Sequence, residues 1–139
     1  MRRLSSVVFV IAISVFAMGC GARKDLANSD LAVAKFHAQL DAGNFDQIYA
    51  ESGQGMKNAT TKEKLVGLLD AVHRKLGYVK SSNRKGFYIN WGTIGKTVRV
   101  NYSTQFDSDT AAEEFVFLVS GDDLQLVGYH INSDVLVTK

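Results

Sequence analysis

The sequence predicts an α+β fold, with three N-terminal helices packed on a curved antiparallel sheet of about four strands. Two periodicities predict it. Apolar residues recur at helical spacing from Val33 to Leu76, then with a period of two from Tyr78 to Ile131. A third observation fixes the layering: helices come first and strands afterwards, which places the helices together on one face of the sheet. Proline is absent from all 139 residues, so glycine supplies the punctuation.

The elements follow in order. Ser29 is a suitable N-cap for the first helix, with Asp30 favourable in its first turn. Val33, Phe36 and Leu40 make its apolar stripe, with Ala32 alongside, and Gly43 can end it in a left-handed conformation. Asn44 can cap a short second helix carrying Phe45, Ile48 and Tyr49, and the segment Ser52 to Gly55 breaks it. The third helix opens on Thr60 and Glu63, the T-x-x-E spacing of a capping box. Leu65, Leu68, Leu69, Val72 and Leu76 then keep helical spacing up to Gly77.

Tyr78 to Asn83 and Lys85 to Trp91 read as one long bent strand or as a hairpin. Thr97 to Phe106 is the clearest strand. Val98, Val100, Tyr102, Thr104 and Phe106 face one way, and Thr97, Arg99, Asn101, Ser103 and Gln105 the other. Residues 107–110 turn the chain. Ala112 to Ser120 and Leu124 to Asn132 are the last two strands, joined by Gly121 to Asp123. Here the alternation is less clean. Phe115, Phe117 and Val119 oppose Val116 and Leu118; Val127, Tyr129 and Ile131 oppose Leu124 and Leu126. A sheet with one wet face alternates more strictly. The expectation is a second face covered in part by the short helix, an apolar ligand or a second copy of the chain, the last giving a homodimer through the sheet.

The N-terminus carries a different signal. Arg2 and Arg3 precede the uncharged stretch Leu4 to Ala22, whose strongest apolar run is Val7 to Met18. A basic start followed by an apolar run of that length reads as an export signal; a spanning helix needs about 20 predominantly apolar residues. The run ends at Cys20, the only cysteine, directly after the small residue Gly19. The stretch Phe16 to Cys20 resembles the lipobox of bacterial lipoproteins, with Ala17 and Met18 where that family usually has leucine and then alanine or serine. The resemblance implies a diacylglyceryl thioether on the Cys20 sulfur, cleavage between Gly19 and Cys20, and a membrane partner reached through that lipid. It divides the chain into a signal at 1–19, a lipidated cysteine and short tether at 20–28, and one α+β domain at 29–139. Gly21 stands where inner-membrane retention in enteric bacteria uses aspartate, so the expected address is the outer membrane, facing the periplasm. Without Arg2 and Arg3 the basic count falls from 16 to 14, equal to the acidic count, so the remaining chain is neutral. Net charge therefore gives no case for a nucleic-acid partner. With no second cysteine, no internal disulfide is available.

Candidate chemistry is sparse. His37, His73 and His130 share no ligand spacing, so no metal or other cofactor is expected. His37 reads as a surface residue beside the first stripe, and His73 as a helix-end residue. His130 shares a strand face with Leu126 and Gly128 and can point into a cavity, which Tyr102 and Trp91, with Asp70, can line. Lys80, Arg84, Lys85, Lys96 and Arg99 interleave with Phe87, Tyr88 and Trp91. They are either the solvated guards of a sheet edge or a contact patch for an anionic lipid head group, lipopolysaccharide or peptidoglycan.

Four segments carry a second resemblance. They are Leu40 to Phe45 (L-D-x-G-x-[FY]), Arg74 to Gly77 (R-x-L-G), Tyr102 to Phe106 (Y-x-[ST]-x-F) and Gly128-Tyr129. With the element order they resemble exported domains of the cystatin-like or nuclear-transport-factor-2-like cone fold, and in particular a bacterial family known as a domain of unknown function. That family implies no catalytic residue. The sequence reading is a lipid-anchored envelope protein acting as a non-enzymatic binding or interaction module. The alternative is a small cone-fold enzyme or carrier for a small apolar ligand in the sheet cavity.

Overall fold

The apolar stripe of the first helix begins earlier than Ser29. A computed structural model describes residues 18–138, and in it α1 spans Met18–Asp41. Leu26, Ser29, Val33, Phe36 and Leu40 form one continuous inward stripe at spacings of three and four. Ser29 lies inside that stripe. Its hydroxyl donates to the Asp25 carbonyl at 2.7 Å, so it is bonded within the helix and caps nothing. The expected tether is thus helical from Met18 onward. The basic residues and apolar run ahead of Met18 lie outside the described residues.

Three further helices follow. α2 spans Phe45–Glu51, α3 Gln54–Ala59 and α4 Lys62–Leu76. The break at Ser52 to Gly55 is therefore followed by an extra short helix. The cap of α4 falls one residue later than expected: Thr61 Oγ1 accepts from the Lys64 amide at 3.3 Å. Leu65, Leu69, Val72 and Leu76 are buried, whereas Leu68 is partly exposed. α5, Asp134–Thr138, closes the described chain, with the Asp109 carboxylate accepting from Ser133 Oγ at 2.6 Å and from the Val135 amide at 3.3 Å.

The sheet is a four-stranded antiparallel meander in the order β1 (Val79–Gly92), β2 (Gly95–Phe106), β3 (Thr110–Ser120), β4 (Asp123–Asn132). β1 is one long strand with two irregularities, at Lys80 and at Lys85. The β2 alternation is as expected, with Val98, Val100, Tyr102, Thr104 and Phe106 all buried. The helices pack on that face, and Phe36 of α1 meets Phe115 and Tyr129 there, at ring-centroid distances of 5.0 and 4.7 Å.

The uneven pattern of β4 has a local cause. Val116 pairs with Gly128 and Phe117 with Leu126, which leaves Val127 as an extra residue, a β-bulge. The bulge resets the phase, so Leu124, Leu126, Tyr129 and Ile131 all lie on the helix-facing side. What looked like a two-sided strand is a one-sided strand with a kink. Val127 instead meets α3. A Cβ on Gly53 would lie 3.1 Å from Val127 Cγ1, and one on Gly55 3.1 Å from Val127 Cβ. A side chain at either position would press on Val127, and the close approach lets the Gly53 amide donate to the Leu126 carbonyl at 2.9 Å. The β4 edge is thereby covered at Leu126 and Val127.

Candidate functional site

A carboxylate lies in the apolar row of β3. Ala111, Glu113, Phe115 and Phe117 alternate inward, and Glu113 is only 2 % exposed. A buried charge must be satisfied by neighbours. Tyr129 OH donates to Oε1 at 2.7 Å, and Thr104 Oγ1 donates to Oε2 at 2.6 Å. His37 Nε2, from α1, stands 2.7 Å from the same Oε2. Thr104 has one proton, already given to Glu113, so the Ser82 hydroxyl donates to Thr104, at 2.8 Å. Burial first, then the Glu113 charge, hold the Tyr129 phenol well above its ordinary pKa. The cluster joins α1 to all four strands.

This cluster backs a cleft of about 560 Å³ between α1 and β1. His37, Ser82, Asp30, Arg84 and Tyr102 are among its lining residues. Arg84 Nη1 donates to both Asp30 oxygens at 2.8 Å, and Tyr102 OH donates to Asp30 Oδ1. Burial and the Asp30 carboxylate raise the Tyr102 pKa, so it is a neutral donor at physiological pH. The Tyr102 hydroxyl and the Arg84 guanidinium are already paired with Asp30, Ser82 is bonded to Thr104, and Asp41 accepts from the Val79 amide at 3.1 Å. The arrangement can hydrogen-bond a small polar ligand, but no hydroxyl here has a free base beside it.

A second cleft, about 390 Å³, opens on the other flank of α1. Its floor is Phe36, Ile48, Phe117, Leu124 and Leu126, and its rim is Lys35, Gln39 and Glu51. Lys35 Nζ lies 2.8 Å from Glu51, which also accepts from Gln39 at 3.0 Å and from Gln47 at 2.9 Å. Those donors, Lys35 foremost, hold the Glu51 carboxyl down at about 2. An apolar floor with a few fixed polar groups suits a small apolar ligand or an inserted side chain.

The cavity expected from the sequence is not assembled. Tyr102 lines the first cleft, but His130 and Trp91 do not. The Val127 bulge turns His130 to the outer face, where it is exposed and paired in register with Glu114. Trp91 is 76 % exposed at the β1–β2 tip, with Lys96 Nζ 5.3 Å from its ring centroid. Asp70 pairs with Arg74 one turn along α4, at 2.7 Å. His37, expected at the surface, is buried against Glu113. His73 lies near the end of α4, its ring 5.2 Å from that of Tyr78. Glu113 was not singled out, although its place in the row Glu113, Phe115, Phe117 was a usable signal. Cys20 is exposed on the first turns of α1. Among the described residues no group of three His, Cys, Asp or Glu side chains could hold a metal ion.

No curated protein matches the chain. A family profile does match it, over residues 32–129, which hold the C-terminal part of α1, the helices α2 to α4 and nearly all of the sheet. On that match the chain belongs to the family described as a protein of unknown function, DUF4019.

Proposed function

We propose that the chain is a lipid-anchored cell-envelope protein whose domain binds a ligand or partner and does not transform it. The observation that carries the anchor is Cys20. It is the only cysteine, it ends the apolar run Val7 to Met18 after a small residue, and it stands exposed with no core to join. Gly21 after it favours the outer membrane, with the domain in the periplasm. Among the described residues no helix is long and apolar enough to cross a membrane. On this reading the lipid on Cys20 supplies the attachment, and two or three acyl chains hold a protein stably where one does not.

The binding part rests on the clefts. Their charged groups are paired internally, which favours recognition over proton transfer or nucleophilic attack. The 390 Å³ cleft with its apolar floor is the first candidate for the bound group, and it also supports the second reading, a carrier of a small apolar molecule. Mass spectrometry of the N-terminal peptide tests the anchor. The expected result is a diacylglyceryl adduct on Cys20 with the residues before it removed, and release of Cys20→Ser from the membrane fraction. A free thiol on a chain that still begins at Met1 would sink the anchor.

A further inference from the structure

We infer that the tip of the β1–β2 hairpin, centred on Trp91 and Ile94, docks on the lipid surface beside the anchor. This rests on the anchoring proposed at Cys20. The geometry comes from α1. Its first turns lie at the sheet end that carries both hairpin turns: Lys24 pairs with Asp122 of the β3–β4 turn, and Asp25 with Lys96 of β2. Asp25 is about 7.5 Å along the helix from Cys20, at 1.5 Å per residue. Lys96 is the register partner of Trp91 and lies over its ring. No flexible tether intervenes, because the helix is continuous from Met18. A bilayer holding the Cys20 lipid therefore faces this end of the sheet.

The composition of the tip fits that occupant. Trp91 and Ile94 are 76 % and 68 % exposed, and Phe87 and Tyr88 are also largely exposed. Tryptophan and tyrosine favour the membrane–water boundary, where one part of the ring is apolar and the other meets water. No acidic residue occurs from Gly77 to Phe106, whereas Lys80, Arg84, Lys85, Lys96 and Arg99 do. Several of these are spent on partners, Lys96 on Asp25 and Arg84 on Asp30 among them. The apolar side chains thus drive the contact. The acidic turn at Asp122 and Asp123 belongs to the neighbouring hairpin, and Lys24 screens Asp122.

Trp91 is the only tryptophan, so it reports on this tip alone. The full-length protein, purified from bacterial membranes, is reconstituted into phosphatidylethanolamine–phosphatidylglycerol vesicles with brominated acyl chains. Flotation and the mass of the Cys20 peptide read the anchor, and Trp91 fluorescence reads the tip. The expected result is blue-shifted emission, quenched by the bromines and shielded from aqueous iodide. Ile94→Asp should lower the membrane-inserted fraction about tenfold, from the loss of one buried aliphatic side chain, while the protein still floats. Flotation with Trp91 unquenched overturns the inference and leaves the anchor standing. Shielding from iodide without bromine quenching also overturns it, pointing to a protein partner or a second copy. Quenching with a bare Cys20 thiol upholds the tip contact and removes the anchor. A bare thiol with neither flotation nor quenching removes both.

Discussion

β1 and β3 belong to one sheet, two positions apart, and both carry large apolar residues on the helix-facing side. β3 buries Ala111, Glu113, Phe115 and Phe117. β1, the longer strand, buries none of its side chains fully, and Phe87 and Trp91 on its helix-facing side are largely exposed. The difference lies in what covers them. α1 and Phe36 lie directly over β3, whereas α1 meets β1 through the Asp30–Arg84 pair and the Val79 amide bonded to Asp41 at 3.1 Å. Period-two alternation states which way a side chain points, and coverage by the helix layer decides whether water reaches it. Buried side chains concentrate on β3, and exposed apolar ones on β1.

Substitutions should separate the two strands sharply. Glu113→Ala on β3 strands His37, Thr104 and Tyr129 without a buried partner, so a loss of about 3 kcal/mol is expected, read from urea denaturation midpoints. A loss below that of an ordinary surface change would show that water or a rearranged neighbour replaces the carboxylate. Gly77→Ala tests the joint that feeds β1. Gly77 has φ +81° and ψ −149°, a region open essentially to glycine, and a Cβ there would lie 2.5 Å from Asp107 Oδ2. About 2 kcal/mol should be lost, seen as a lower Tm.

Raising the pH sharpens the same contrast. Tyr129 and Tyr102 have folded pKa values above the unfolded 10, so the folded chain binds more protons there in alkali. Stability is then unaffected by these groups below pH 10 and falls above it, by about 1.4 kcal/mol per pH unit for each tyrosine. Tyr88→Phe, an exposed change on β1, should leave the alkaline unfolding curve in place. The smallest effect is expected for Arg84→Ala. It removes a partly exposed ion pair on β1, and about 0.5 kcal/mol should be lost, less in high salt. A cost near that of Glu113→Ala would mean that the β1 side of the cleft is as structural as β3.

Much of this layout could be read from residue order. The β2 alternation and the ends of α1 and α4 at Gly43 and Gly77 follow from local rules that hold in the folded chain, whereas β1 is legible only as one bent strand or a hairpin. The errors share a different origin. Ser29 carries every mark of a cap, but its hydroxyl bonds one turn back, and nothing local distinguishes the two uses. The Val127 bulge depends on pairing with β3 and on the glycines of α3, partners distant in sequence. Because it reverses the phase, one missed residue sent His130 to the wrong face and broke the expected cavity. Glu113 was within reach of the same alternation that located Phe115. Its partners were not, since His37 arrives from another layer and Tyr129 needs the bulge to point inward.

The way α1 is stitched to the sheet also bears on force. Along its length it is bonded through Lys24, Asp25, Asp30, His37 and Asp41 to residues on the β3–β4 turn and on β2, β1, β3 and β1 respectively. A tug applied at Cys20 runs along the helix axis and loads these attachments together, in shear. Peeling would load them one at a time. Under the anchoring proposed at Cys20, traction from a membrane would thus be shared among these attachments.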